Sequence, residues 1–251
     1  MRFHQAEALL LDVASLGDAD RVVTFLTRDR GRKRGVARGA RRRYSRHAGQ
    51  LQLLSKADVQ WLEKEGRELA RLTRVELIRP ADRLFGDLEG ILVASVLAES
   101  AGVFSPEDES SELVYRLLDS TIEALLGGVD RWLALRYFES WVLRLSGIFP
   151  APERCPSCGR EIVELAMLSG GGESLLCGDC GRAEAGSRRV GAAALEFLRR
   201  IGHEPLRRMG AEPPTAEALA EVGRVAGAVR RGFLQHELKS VLVLERTLGE
   251  D

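Results

Sequence analysis

The chain has 251 residues and a mass of 27.6 kDa, with 37 basic side chains, 37 acidic side chains and 45% apolar residues. This length allows one domain with a sizeable hydrophobic core, or a few smaller domains. The first residues are too polar for a secretory signal, and no apolar run approaches the ~18 residues of a membrane span. We therefore exclude secreted disulfide scaffolds, collagens, membrane proteins and disordered chains.

The balanced net charge conceals an uneven distribution. Residues 1–80 carry 18 basic and 10 acidic side chains, whereas residues 81–150 carry 5 basic and 12 acidic ones. The densest segment, residues 28–46, has ten basic side chains and one acidic side chain, Asp29. Such an asymmetry between segments predicts an interaction surface near the N-terminal end of the chain.

Five segments with β-branched and apolar residues, separated by turns, precede Pro80. They are Ala6–Val13, Arg21–Thr27, Arg34–Arg38, Leu51–Leu62 and Glu68–Ile78. Five short strands in about eighty residues, with no helix between most of them, are typical of a small barrel or sandwich. A five-stranded oligonucleotide-binding (OB) fold is the natural candidate for that count and length.

Helical periodicity replaces the strand pattern after Asp82. A second helix is expected to begin at Ser105 as N-cap, with Pro106 in its first turn, and to end before Gly127. Further helices are expected from Asp130, over residues 192–201, and after Thr215. The predicted fold is α+β: an N-terminal five-stranded OB-fold barrel followed by a helical domain carrying an inserted zinc ribbon. The expected boundaries are residues 1–80 for the barrel, 81–150 and 187–251 for the helical domain, and 151–186 for the ribbon.

All four cysteines lie close together in the chain, as two C-x2-C pairs separated by eighteen residues. They are Cys155, Cys158, Cys177 and Cys180. This spacing matches zinc ribbons, and the alternative of two disulfides is disfavoured in a chain without an export signal. We expect one structural Zn²⁺ per chain, because four thiolates leave no open position for a catalytic water. Gly159 and Gly181 are expected to take positive φ in the two knuckles, with a hairpin around residues 170–172.

The basic segment is expected to hold nucleic-acid phosphates, because clustered cations release counterions from a phosphate backbone. The candidate residues are Arg32, Lys33, Arg34, Arg38, Arg41, Arg42, Arg43 and Arg46. Tyr44 lies among them and is a candidate for stacking on a base. The alternative is a flexible charged loop whose tyrosine packs on the barrel.

The sequence lacks the common short motifs of nucleotide-binding and hydrolytic enzymes. The chain has no Walker phosphate loop, no G-x-G-x-x-G, no G-x-S-x-G and no H-E-x-x-H motif. The acidic run of residues 107–109 is interpreted as a favourable charge at a helix N-terminus.

Several short motifs together resemble the bacterial RecO family of recombination proteins over nearly the whole chain. They are the strand Ala6–Leu11, the Gly17-Asp18-x-Asp20-Arg21-Val22-Val23 turn, Phe25-x-Thr27-x-x-x-Gly31, Ala37–Arg42, the paired cysteines and the closing Glu237–Ser240. The chain departs from the family pattern at Asp18, where glutamate is usual, at Arg38, where lysine is frequent, and at residues 43–45, where Pro-Lys-Ser is frequent.

This resemblance implies a non-enzymatic mediator of the RecF pathway of DNA repair. Such proteins bind single- and double-stranded DNA, anneal complementary strands and, with RecR, help to load RecA onto DNA coated by single-stranded DNA-binding protein. The resemblance also suggests a site for the acidic C-terminal tail of that protein, which we assign to Arg131 and Arg136 beside aromatic residues. It implies a cytoplasmic, nucleoid-associated protein without a membrane partner.

Two other functional classes remain open at this stage. A zinc-ribbon nuclease or modifying enzyme needs a carboxylate cluster or an open metal site, and the sequence shows neither. An RNA- or ribosome-associated OB-fold protein with a zinc ribbon shares the same features.

Overall fold

A computed structural model describes residues 1–249 of the chain. The chain divides into two compact units, residues 1–126 and residues from 127 onward. The first two long helices thus belong to the same unit as the strands that precede them. The predicted domain boundaries at residues 80, 150 and 186 follow changes in secondary structure and stay a prediction.

The first unit contains the five predicted strands, which form a closed barrel in the order β1-β2-β3-β5-β4. Every neighbouring pair is antiparallel except β3 and β5, which are parallel. Its elements are β1 (Arg2–Leu16), β2 (Asp20–Thr27), β3 (Gly31–Ala37), β4 (Lys56–Glu63), β5 (Ala70–Arg79), a 3-10 turn (Asp82–Phe85), α1 (Leu88–Val103) and α2 (Glu112–Leu126).

Strand β1 is long enough to pair with two other strands along its length. Its first half pairs with β4 and its second half with β2, with a shift of register between Leu10 and Asp12 where the strand bends. Alternate side chains fill the interior, and Phe25 meets Trp61 edge-on with ring centroids 5.3 Å apart. On the outer side, α1 packs on β1 and α2 on β2, and Leu9 is fully buried there.

The predicted start of the second helix is wrong. Helix α2 begins at Glu112, and the preceding residues instead lie along the start of β3, where the Arg32 N–H donates to the Pro106 carbonyl at 3.0 Å. The hydroxyl of Ser105 is buried without a hydrogen bond among the described residues, so it caps no helix. Pairing with β3 has replaced the capping interaction. We call residues 106–109 the acidic strap.

The second unit is built on helices α3, α5 and α7, with a small sheet in the order β7-β6-β8. The predicted hairpin is present, and a third strand, β8, was not predicted. Its elements are α3 (Arg131–Leu145), β6 (Ala166–Leu168), β7 (Leu175–Cys177), α4 (Gly178–Arg182), β8 (Arg188–Val190), α5 (Ala192–Ile201), α6 (Leu206–Met209), α7 (Ala216–Leu234) and α8 (Lys239–Leu248).

Side-chain caps confirm two of the predicted helix starts. The Asp130 carboxylate accepts from the Leu133 N–H at 2.8 Å, and the Thr215 hydroxyl accepts from the Ala218 N–H at 3.2 Å. Across residues 1–249, no helix is both long and apolar enough to cross a membrane.

Two glycines with nearly equal backbone angles provide a test of how the strap is seated. Gly31 and Gly17 have φ of +59° and +57°, but only a Cβ at Gly31 meets the strap, 2.1 Å from the Glu109 carbonyl oxygen. A Cβ at Gly17 has no atom within 4 Å. Replacing Gly17 with alanine should cost about 1–2 kcal/mol of unfolding free energy, which is the strain of a left-handed residue alone. Replacing Gly31 should cost a further ~1–2 kcal/mol because the strap loses its hydrogen bond and ion pairs to β3.

Urea unfolding of both variants measures this difference. Equal losses for Gly31→Ala and Gly17→Ala would show that the strap contributes nothing to the stability of the first unit.

Candidate nucleic-acid interface and metal centre

The arginine cluster lies on the connection between β3 and β4, whose residues 38–49 we call the basic loop. Because β5 lies between β3 and β4 in the sheet, this connection must cross the end of β5 and cannot be a tight hairpin. The loop is folded into successive turns, in which the Ser45 N–H donates to the Arg42 carbonyl and the Ala48 N–H to the Ser45 carbonyl, both at 3.1 Å.

Both ends of the basic loop are tied to the barrel. The Gly39 N–H donates to the Asp20 carboxylate at 2.8 Å, and the Arg41 guanidinium donates to the Gly17 carbonyl at 2.8 Å. At the other end, the Leu77 N–H of β5 donates to the Gln50 side chain at 2.8 Å. These hydrogen bonds hold the loop against the barrel on both sides.

Most of the predicted DNA-binding side chains are exposed on this loop and on the adjoining part of β3. They are Arg34, Arg38, Arg41, Arg42, Arg43, Tyr44 and Arg46. The Tyr44 ring is 89% exposed and is not packed on the barrel. The Arg43 guanidinium lies 5.5 Å from the centroid of that ring. A planar cation and an aromatic face are thus presented side by side to solvent.

Two of the predicted residues, Arg32 and Lys33, are instead engaged by acidic groups. Arg32 donates to the Glu107 carboxylate at 3.0 Å and to the Gly102 carbonyl at 2.7 Å. Lys33 contacts Asp108 of the strap and donates to Glu63 at 2.8 Å. Acids therefore neutralise the first half of β3, and the interpretation of the acidic run as a helix-dipole partner is wrong.

The surroundings of Glu63 favour the charged form of its carboxyl group. Burial by itself raises the pKa of the Glu63 carboxyl, but the hydrogen bonds from Lys33 and from Trp61 outweigh burial and hold the pKa below its usual value. His4 stacks on Trp61 and places its Nε2 atom 3.2 Å from the same carboxylate. The Lys33 ammonium is therefore held inside the cluster and away from solvent.

The sequence interpretation missed basic residues outside the cluster. Arg71 and Arg74 are exposed on β5, and Lys64 and Arg67 are exposed on the β4–β5 hairpin. Each stands within a few residues of an acid, so no charge run signals it. Their positions on strands next to β3 become visible only once the sheet is closed.

The four cysteines converge on one point, as their spacing predicts. Their Sγ atoms all lie within 4.8 Å of one another, and the Cys158 and Cys177 sulfurs are 3.7 Å apart. Sulfurs placed tetrahedrally at about 2.3 Å from a zinc ion are about 3.8 Å apart, so the donor set fits such an ion. All four cysteines are free thiols, which removes the disulfide alternative. The cluster can hold a metal ion.

The two knuckles differ in construction. Gly159 has φ of +73° as predicted, and its N–H donates to the Cys155 carbonyl at 2.8 Å. Gly181 does not have positive φ, because the second knuckle continues directly into α4. A Cβ at Gly181 would lie 2.1 Å from the Cβ of Met167, so this position requires glycine for close packing.

Arg160 gives the site a positive neighbour. The backbone N–H and the guanidinium of Arg160 lower the pKa of the Cys158 thiol to about 6. A hydrogen bond from Ser157 lowers the pKa of Cys180, but the neighbouring Cys158 and Cys177 outweigh it and raise that pKa to about 11. Four sulfurs this close compete for protons, and a divalent cation removes the competition by taking all four as thiolates.

Arg136, one of the two residues predicted to hold an acidic peptide, is inside the second unit. It is 8% exposed, and its guanidinium donates to Glu139 at 2.7 Å. Glu139 also accepts from Arg230 at 2.8 Å. This placement argues against a role of Arg136 in peptide capture, because its guanidinium is buried and already paired with Glu139, so a peptide from another protein cannot reach it. Arg131 is only partly buried.

The closing motif of the resemblance belongs to the same buried network. Glu237 accepts from Arg230 at 2.7 Å and from Arg231 at 2.9 Å, and its carboxylate also accepts from the Leu238 N–H at the start of α8. Burial raises the pKa of Glu237, and the bond from Arg230 outweighs burial and lowers it. The role of Glu237 is therefore to join α7 to α8.

Comparison with known proteins agrees with these features. Residues 1–81 match the family model described as recombination protein O N terminal, and residues 86–241 match recombination protein O C terminal. The chain is 32% identical to the DNA repair protein RecO of Anaeromyxobacter sp. strain K, over 96% of this chain and 94% of that protein. It is 32% identical to that of Symbiobacterium thermophilum, over 96% of each chain, and 29% identical to that of Desulforudis audaxviator, over 98% of each chain. With a closed β-barrel that carries an ordered arginine loop, and with matches to both parts of the family over nearly its whole length, the chain belongs to the recombination protein O (RecO) family.

Proposed function

We propose that the protein is a non-enzymatic, DNA-binding recombination mediator in DNA repair. It binds single- and double-stranded DNA, anneals complementary strands and, with RecR, helps to load RecA onto DNA coated by single-stranded DNA-binding protein. One observation carries the DNA-binding step: an ordered loop on the end of a five-stranded barrel presents clustered, exposed guanidinium groups. Membership of the RecO family supports the wider role.

The barrel acts as an OB-fold, and the basic loop follows the phosphate backbone of a strand. Guanidinium groups bind phosphate oxygens whatever the base, so this contact has no sequence preference. Because the loop is already folded and anchored at Gly39 and Arg41, binding costs little ordering entropy. The same cations offset the repulsion between two phosphate backbones, which must be overcome when complementary strands meet.

The acidic strap limits this contact surface. Arg32 and Lys33 are paired with Glu107, Asp108 and Glu63, so the proposed DNA contacts are made by the exposed residues. They are Arg34, Arg38, Arg41, Arg42, Arg43, Tyr44 and Arg46.

The metal is proposed to be one structural Zn²⁺ held by the four cysteines. A four-thiolate set completes the coordination sphere and leaves no site for substrate. Residues 151–186 contain only short strands, one short helix and a few buried apolar side chains, so metal ligation adds to a small hydrophobic core there. The partner contacts, RecR and the tail of single-stranded DNA-binding protein, are proposals that rest on the family. Arg131 is the residue retained for the tail. The proposed location is the cytoplasm, with the nucleoid.

Neutralising the basic loop should weaken binding to any DNA. If about five cations contact a single strand, log K should fall with log salt at a slope of roughly −3 to −4. Changing Arg41, Arg42 and Arg43 together to alanine should flatten that slope by about 2. Fluorescence titrations at several salt concentrations, with thermal melting as the folding control, measure both quantities.

Tyr44→Ala is the matched variant without a charge change. If the ring stacks on a base, the variant should lose about 1–3 kcal/mol of binding free energy at an unchanged slope. A folded triple-alanine protein that keeps wild-type affinity and slope would place the DNA site elsewhere in the chain. Tighter binding of RNA than of DNA with the same sequence would favour the RNA-associated class.

Removing the charge of the strap should have the opposite effect. Glu107→Gln with Asp108→Asn frees Arg32, while Lys33 stays paired with Glu63, so single-stranded DNA should bind more tightly and with a slope steeper by about 0.7. The control is Glu65→Gln with Glu68→Gln, two exposed acids of the β4–β5 hairpin that form no ion pair with β3 among residues 1–249. An equal gain in both double variants would mean that net charge alone is responsible.

Metal analysis of the purified protein should find one zinc per chain. Cys158→Ser should lose the metal and have a lower melting temperature than the wild type. Arg182→Gln, at an exposed position of α4, should keep the metal and the wild-type melting temperature. The loss should be smaller than the roughly 10–16 kcal/mol seen in isolated zinc-finger peptides, because the helices of the second unit have their own core. Fully folded wild-type protein without zinc or iron would contradict the assignment.

A further inference from the structure

A small pocket lies beneath the basic loop, on the first unit. Its volume is about 310 Å³, and its lining residues are Arg21, Ala40, Arg41, His47, Ala48, Gly49 and Leu51. Two guanidinium groups and an imidazole thus line it, and no carboxylate does. The acid closest in sequence, Asp20, is engaged by the Gly39 N–H at 2.8 Å.

His47 contributes a donor without an acceptor. The side chain of Arg46 donates from Nε to His47 Nε2 at 3.3 Å, so Nε2 carries the lone pair and the neutral ring has its hydrogen on Nδ1. This Nδ1 atom is buried and has no hydrogen-bond partner among the described residues, in a side chain that is 2% exposed. A buried donor without an acceptor is costly, which points to a ligand that supplies one.

Arg21 contributes a second donor of the same kind. It lies on β2, and its Nε is buried without a partner among residues 1–249. Arg21 and His47 both line the same pocket, and Arg41, a third residue of its wall, adds a positive charge held in place by the Gly17 carbonyl. Two cationic side chains beside neutral donors favour an acceptor that carries negative charge, and an oxyanion meets both requirements.

We propose that this pocket is a phosphate-binding site, in which Arg21, Arg41 and the His47 Nδ1–H hold one phosphate group of a nucleic-acid strand that lies on the basic loop. The inference deepens the proposed function and rests on it for the source of the phosphate. It distinguishes one seated phosphate, held by directed hydrogen bonds, from the diffuse contacts of the exposed arginines. An internal phosphodiester is the expected ligand, and a 5′-terminal phosphate monoester has the same chemistry.

The test separates directed hydrogen bonds from charge. Burial and the neighbouring Arg46 lower the pKa of His47, so the ring is neutral at slightly alkaline pH and removing it changes no charge. His47→Phe should therefore weaken binding of a short oligothymidylate about tenfold with an unchanged salt slope. Arg21→Gln should reduce the magnitude of the salt slope by about 0.7, because one cation is lost. It should also weaken the affinity extrapolated to high salt, because a directed hydrogen bond is lost.

Arg42→Gln is the matched control, since Arg42 is on the same loop, is exposed and does not line the pocket. It should lower the slope by about 0.7 and leave the extrapolated affinity unchanged. If His47→Phe fails to fold, His47→Gln replaces it. Comparing oligothymidylate with and without a 5′-phosphate identifies the source: equal affinities assign the site to the backbone, and tighter binding of the phosphorylated strand assigns it to the end.

A measurement without DNA keeps the two proposals distinguishable. In wild-type protein, inorganic phosphate added at constant ionic strength should shift the ring NMR signal of His47, which the His47→Gln spectrum identifies, and chloride should not. A shift with phosphate but no binding of any DNA would support the pocket and contradict the proposed function. DNA binding that leaves the His47 signal and the His47→Phe affinity unchanged would overturn the pocket and leave the proposed function intact.

Discussion

The parallel pairing of β3 with β5 is the constraint on which the N-terminal unit depends. It closes the sheet into a barrel, and it separates β3 from β4, which follows it in the chain. The connection between them must therefore cross the end of β5, and that crossing is where the sequence places its arginines. A two-residue hairpin at this point would hold neither the charge cluster nor the pocket beneath it. The most basic segment of the chain is thus also the segment that the topology forces outward.

Some basic side chains of this protein are exposed to solvent, whereas others are paired with acidic side chains. On the basic loop, exposed guanidinium groups are left for a ligand, whereas at the start of β3 the acidic strap and Glu63 engage Arg32 and Lys33. In the second unit, Arg136, Glu139, Arg230 and Glu237 form a buried network whose members satisfy one another. Buried ion pairs contribute little net stability but are costly to break on one side, so they fix which elements meet. Arginine content alone does not distinguish these uses.

An anchored loop changes how affinity arises. Successive turns and the bonds to Asp20 and Gly17 fix the positions of the cations before any ligand is present, so little entropy is lost on binding. The pocket below the loop then adds directed hydrogen bonds from Arg21 and His47 to the electrostatic attraction. Added salt screens the electrostatic attraction between exposed charges and so weakens its contribution to binding. Hydrogen bonds formed away from solvent are weakened less. Such a combination fits the proposed binding of DNA without sequence preference.

Features that depend on local pattern can be predicted from the amino-acid sequence alone. The sequence predicts the five strands, the helix caps at Asp130 and Thr215, and the four cysteines that converge, because period, capping and knuckle spacing act over a few residues. Features that depend on contacts between distant residues become apparent only in the folded chain. Residues 106–109 pair with β3, so Ser105 caps no helix, and close packing against Met167 requires glycine at position 181. Arg136 is buried and paired with Glu139. His47 and Arg21, which are distant in sequence, line the same pocket. Each of these outcomes is set by a partner many residues away, whose approach no local pattern encodes.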